Sequence, residues 1–140
     1  MVNPAPTPPA WRALYRRLLK TGHELTSDRR FKFYTFQHHL RKAFSPSIVT
    51  QSSTHNPSDQ YNRGQRTLRF LKAAKKPESI ERKVFDNLLF MRRQIDRFEA
   101  RRPYLTRMRK SADNDALREV FHEYNTLVDH LNQSQRLALP

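Results

Sequence analysis

The sequence predicts an all-α protein, a three-helix bundle followed by a C-terminal helical hairpin, and three observations lead there. Apolar residues recur at spacings of three and four through most of the 140 residues, which is the pattern of one buried helix face. Prolines and one Ser/Thr/Asn-rich cluster divide the periodic stretches from one another. The one place where alternation suggests a strand, Phe31-Lys32-Phe33, sits inside a longer periodic stretch and carries no hairpin signal.

Taken in order, Met1 to Pro9 holds four of the nine prolines and no charged side chain, so it is expected to be a disordered arm. From Ala10 the residues Trp11, Leu14, Tyr15, Leu18 and Leu19 form a single helical stripe, with Arg12, Arg16, Arg17 and Lys20 around the rest of the circumference. Pro9 suits the first turn of this helix, and Gly22 suits a left-handed position just past its end. A second helix is expected from a cap at Ser27 or Asp28 to about Phe44, stopped by Pro46. Its aromatics, Phe31, Phe33, Tyr34, Phe36 and Phe44, cover more than one stripe, so it should be contacted on two sides.

Ser45 to Ser58 reads as the longest loop. A third helix from about Asp59, again placed as a cap, to Lys75 turns Tyr61, Leu68 and Leu71 inward, with Gly64 in the same band, and Pro77 ends it. Ser79 to Arg102 carries Val84, Leu88, Met91, Ile95 and Phe98 at helical spacing up to Pro103, and a last helix from about Asn114 to Arg136 carries Leu117, Phe121, Tyr124, Val128 and Leu131. The domain reading is therefore an arm at 1–9, a three-helix unit at 10–76 and a hairpin at 77–140.

Charge divides at the same seam. The chain carries a net charge of +14, of which +12 belongs to residues 1–76 and +2 to residues 77–140. Such lopsidedness asks for an acidic partner on the front half, and acyl carrier protein, ribosomal RNA and anionic lipid all have the right sign. Zero cysteines exclude a disulfide framework, a thiolate metal site and a cysteine nucleophile. Two glycines exclude glycine-rich nucleotide loops, and no apolar run is long enough to span a bilayer. His38 and His39 are adjacent on a helix and point about 100° apart, while His122 and His130 have no acidic companion at ligand spacing, so no metal site is expected. With no paired acid and base and no activated nucleophile, the reading is non-catalytic, with no catalytic residue to name.

One tripeptide adds a resemblance. Leu14-Tyr15-Arg16 lies near the N-terminus on the first helix, a second helix ends in Arg41-Lys42-Ala43-Phe44, and three helices complete the first 76 residues. In these features the chain resembles the LYR-motif family of small mitochondrial three-helix proteins, over about half its length. The likeness is greatest to the branch serving assembly of the mitochondrial large ribosomal subunit, on Leu14 to Gly22, on Asp28-Arg29-Arg30-Phe31-Lys32-Phe33-Tyr34 leading to Leu40 to Phe44, and on Gly64 with Phe70-Leu71. Residues 77–140 have no counterpart in it.

The resemblance implies an adaptor in the mitochondrial matrix, held by acyl carrier protein whose acyl-4'-phosphopantetheine arm enters the bundle; no cofactor is then bound directly. It implies carrier contacts at Leu14, Tyr15, Arg16, Arg17, Lys20, Arg41, Lys42 and Arg63, where arginine's planar fork suits carboxylate and phosphate. The acyl slot would be lined by Leu18, Phe36, Leu40, Phe44, Leu68 and Leu71, with Gly64 leaving room. At roughly 0.8 kcal/mol per buried methylene, a chain of ordinary length could supply several kcal/mol after ordering costs. Further partners are then large-subunit assembly factors and rRNA, for which Arg92, Arg93, Arg101, Arg102, Arg107, Arg109 and Lys110 are candidate contacts. The alternatives are a permanent structural ribosomal protein on rRNA, or a LYR accessory factor for iron–sulfur or respiratory complex assembly. For import, the basic, amphipathic first helix could replace the arginine-free arm as leader.

Overall fold

The computed structural model describes residues 7–44, 57–100 and 111–140, and all regular structure among them is helical. The helices are α1 (Pro8–Leu25), α2 (Arg30–Ala43), α3 (Pro57–Ala73), α4 (Ile80–Glu99) and α5 (Ser111–Gln135). The expected loop at 45–58 falls outside the described residues except for its last two positions, which already belong to α3, and Pro103 lies outside them too.

The helix ends follow from local chemistry, not always the chemistry expected. Pro8 and Pro9 open α1, where an absent N–H costs nothing, so the helix takes two residues from the expected arm. Gly22 does not terminate α1. It lies inside the helix without a positive φ, because the chain continues one more turn to bury Leu25. Thr26 then closes the helix, its Oγ1 donating to the Gly22 carbonyl at 2.7 Å. At the start of α2 the cap position is Arg29, with no side-chain cap. Asp28 is engaged elsewhere, 3.6 Å from the Lys32 ammonium. Asp59 likewise sits in the first turn of α3 and faces Arg63 at 3.4 Å. α4 is capped by Ser79, whose Oγ accepts from the Arg82 N–H at 3.1 Å.

Packing makes one core of the first four helices. α1 packs most extensively on α3, α4 packs on α2 and α3, and α1 also touches α2. Leu14, Leu18 and Leu25 of α1 meet Phe36 and Leu40 of α2, Leu68 and Leu71 of α3, and Phe85 and Leu89 of α4 in a single buried cluster. Fully burying each such side chain is worth about 1.5–3 kcal/mol. Phe36 and Phe85 meet edge to face, with ring centroids 5.6 Å apart. Packing thus continues across residue 76, and α4 is not confined to a hairpin with α5.

α5 is held to α4 by a smaller cluster, in which Val128 meets Leu88, and by the Phe98 and Phe121 rings at 5.3 Å. The Tyr124 hydroxyl donates to the Leu88 carbonyl at 3.5 Å, and burial pushes this phenol's pKa up to about 12. After α5 the chain turns back. Arg136 adopts φ 49°, Leu137 N–H donates to the Asn132 carbonyl at 2.8 Å, and Arg136 N–H reaches the Gln133 carbonyl at 3.3 Å. This is a Schellman cap with arginine where glycine is usual. It directs Leu137 and Leu139 into the bundle, where both are buried.

Candidate functional site

The LYR tripeptide divides between inside and outside as helical geometry requires. Leu14 is buried, Tyr15 is half-buried, and Arg16, Arg17 and Lys20 are exposed. Tyr15 packs edge-on against Phe44 at 6.4 Å, and Trp11 packs against Phe44 at 5.9 Å and Tyr61 at 5.4 Å. These rings bring the Arg16 turn of α1 and the Arg41–Lys42 turn of α2 to one end of the bundle. Arg41 and Lys42 are exposed in the last turn of α2, where its free carbonyls favour positive charge.

Among the described residues no ion pair engages Arg16, Arg17, Arg41 or Lys42. Arg63 is different. It is partly buried, and its Nε faces Asp59 without a hydrogen bond.

The residues expected to line an acyl slot do come together, and they are tightly packed: Leu18 and Leu71 have no exposed surface, and Phe36, Leu40 and Leu68 have 2–3%. The space that Gly64 leaves is occupied. A Cβ there would lie 2.8 Å from a Leu14 methyl carbon and 3.2 Å from Phe44 Cζ.

Among the described residues, grooves lie instead around the C-terminal segment, bordered by residues of α2, α3, α4 and α5. One groove of about 430 Å³ has Phe36, Leu40 and Val128 in its wall with Lys42 and Arg92. A second, of about 320 Å³, is lined by Phe44, Arg63, Asn132 and Leu137. Ala138 and Leu139 border both. Ala138 N–H donates to Thr67 Oγ1 at 2.9 Å, and the Asn132 side chain brackets Leu139, donating to its carbonyl at 3.1 Å and accepting its N–H at 3.0 Å. Sequence reasoning missed this contact, since Leu137 and Leu139 stand outside any helical stripe and no glycine marks the turn.

Of the candidate RNA contacts, two are engaged within the fold. Arg92 Nε donates to His39 Nε2 at 2.9 Å and lies 3.5 Å from Asp96, while the Arg93 guanidinium stacks on Phe31 at 3.8 Å. Arg101, Arg102, Arg107, Arg109 and Lys110 lie outside the described residues. Burial holds the His39 pKa below its ordinary value; Arg92 adds to the effect and Asp96 opposes it. Elsewhere between α2 and α4, burial raises the Asp86 carboxyl, but hydrogen bonds from Lys32 and Arg82 outweigh this and hold its pKa low.

Among the described residues no cluster of three or more His, Cys, Asp or Glu could hold a metal, and no helix is long and apolar enough to cross a membrane. The molecule is thus defined as an α-helical bundle with a strongly basic front half. No protein-family model, curated protein or solved structure matches the chain.

Proposed function

We propose that the chain is a non-catalytic LYR adaptor of the mitochondrial matrix, with α1 to α3 as the LYR unit and α4 and α5 as its extension. It binds acylated acyl carrier protein and takes part in assembling the mitochondrial large ribosomal subunit. The observation that carries the proposal is the set of exposed cations Arg16, Arg17, Arg41 and Lys42, which have no ion-pair partner among the described residues, on the turns that the Tyr15–Phe44 contact brings together. An acidic helical carrier would satisfy these charges, and the grooves beside Lys42 and Arg63, which set Phe36, Leu40 and Phe44 among polar side chains, offer apolar wall to an alkyl arm that follows an anionic phosphate.

The test is co-purification of the full chain with carrier protein from mitochondria, with intact-mass measurement of any carried lipid. Wild type should return acylated carrier and large-subunit assembly factors, and the Arg16→Glu/Arg41→Glu pair should lose the carrier. Undiminished carrier in that variant defeats the proposal. Carrier recovered with cysteine desulfurase and no ribosomal protein removes only the ribosomal branch.

A further inference from the structure

We infer that the C-terminal segment Leu137 to Leu139 is an internal occupant of an alkyl-chain site between α2 and α3, and that a bound chain displaces it. The inference rests on the acyl-chain reading for its class of ligand and adds where the chain lies and what it must move.

Four observations support it. First, α2 and α3 are not a closely packed pair among the described helices; each leans on α1 and α4. Leu137 and Leu139, which are 6% and 7% exposed, lie over this seam: they cluster with Leu88 of α4 and Val128 of α5, pack beside Phe70 of α3, and Leu139 shares a groove with Phe36 and Leu40 of α2. Second, grooves of about 430 and 320 Å³ flank the segment and share Ala138 and Leu139, with Ala43, Asp129 and Asn132, as a border, so lifting the segment would join them into one trough with Phe36, Leu40 and Phe44 on one wall and Asp129 and Asn132 on the other. A volume of that order holds a single long-chain ligand.

Third, the segment can leave without orphaning a buried group on the bundle. Thr67 Oγ1 also donates to the Arg63 carbonyl at 2.9 Å, so its hydroxyl proton stays bonded when Ala138 departs. The other bonds of the segment run to Asn132 at the end of α5 and would move with it or pass to water. Fourth, docking needs Arg136 in the left-handed region, which a non-glycine residue leaves readily. An apolar clasp with polar bonds replaceable by water, held by a strained turn, is poised to open for a ligand that fills the seam better.

The segment reports on itself, because the consecutive N–H groups of Leu137, Ala138 and Leu139 are all hydrogen-bonded. The experiment uses the full chain with a free fluorescent twelve-carbon fatty acid and, separately, with carrier protein bearing a twelve-carbon chain. Binding and amide exchange are measured for wild type, Leu137→Ala/Leu139→Ala and Thr67→Val. Thr67→Val keeps the shape of the side chain and removes its hydroxyl, both the acceptor for Ala138 and the donor to the Arg63 carbonyl, so it serves if the double variant folds poorly.

The expected result is exchange at the three amides at least about tenfold faster when the fatty acid is bound. The double variant should bind it about tenfold more tightly and Thr67→Val about threefold, as loss of a competing internal state requires. The inference is overturned if no form binds the fatty acid, if the variants bind no better than wild type, or if the amides stay protected with ligand bound. Failure of the carrier to bind while the fatty acid behaves as stated sinks the adaptor proposal and leaves this one standing. Carrier binding with the amides still protected does the reverse.

Discussion

Gly22 of α1 and Phe36 of α2 are in direct contact, the edge of the phenyl ring lying where a Cβ on residue 22 would have to be. Phe36 is 2% exposed and wedged against Phe85, so the ring has nowhere to swing. Alanine at position 22 would gain about 1 kcal/mol in helix propensity. Overpacking of a closed core costs about 1–3 kcal/mol, and here it meets ring carbons rather than a flexible chain end. Gly22→Ala should therefore destabilise by up to about 2 kcal/mol in urea unfolding, and Phe36→Leu in the same chain should recover part of the loss. At Gly64 the nearest atoms are side-chain tips of Leu14 and Phe44 at 2.8 and 3.2 Å, so Gly64→Ala should cost less than Gly22→Ala. Equal costs would contradict the packing described.

Lys32 and Asp86 join α2 to α4 at 2.7 Å, with the lysine side chain 11% exposed and the carboxylate 32%. Removing the carboxylate leaves a largely buried ammonium with only the more distant Asp28, at 3.6 Å, to compensate. Asp86→Asn should lower stability by about 1 kcal/mol, discounted for the partial exposure of the pair, whereas Asp28→Asn, on a half-exposed carboxylate, should cost less than about 0.5 kcal/mol. The comparison is made by chemical denaturation at two ionic strengths. A large salt effect on the Asp86 loss would show the pair to be more open than the structure has it.

His39 gives the fold a pH dependence whose sign is fixed by its neighbours. Neutral His39 accepts the Arg92 Nε proton at Nε2; protonated, it could face only Asp96, at 3.3 Å, and would repel Arg92. Burial, then Arg92, lowers its folded pKa from 6.5, so the unfolded chain binds the proton first. Stability from this group is complete above 6.5 and is lost as the pH falls from there through the lowered folded value. Other groups facing the imidazole are His38 on its own helix, with ring centroids 5.2 Å apart, and Asp96 and Arg92 from α4. Unfolding midpoints of wild type against His39→Gln across this window should converge on the acid side. A constant gap at all pH values would show that His39 does not titrate differently in the two states.

These residues also show what the amino-acid order reveals. The stripe on α1 was legible because that helix faces one core, so Leu14 and Leu18 fall inside at simple spacing; α4 serves both clusters, so its spacing picks out Leu88 and Ile95 and misses Phe85 and Leu89, which are fully buried. The cap that Ser79 makes was not legible, and neither Ser27 nor Asp28, expected to cap α2, does so. Gly22 was not legible either, since glycine serves equally for a left-handed turn and for close approach, and only the position of Phe36, fourteen residues away, decides between them. The exposed ends of the tripeptide region were legible as charge. The place of the grooves depends on a C-terminal segment more than sixty residues downstream of α3, to which no periodicity points.

Arg136 offers the most direct route to strengthening that segment. Its φ of 49° lies where an L side chain costs about 1–2 kcal/mol and glycine almost nothing, and the residue is exposed, so its side chain holds little in place. Glycine also widens the unfolded ensemble, which takes back part of the gain. Arg136→Gly should stabilise the chain by about 0.5–1 kcal/mol net and slow exchange at the Leu137, Ala138 and Leu139 amides, since the turn that presents them becomes easier to hold. If the segment competes with an alkyl chain, the same variant should bind the fluorescent fatty acid more weakly than wild type, the opposite of Leu137→Ala/Leu139→Ala. Stabilisation with unchanged fatty-acid affinity would separate the turn from the site; destabilisation would mean that the arginine side chain, not its backbone, holds the segment down.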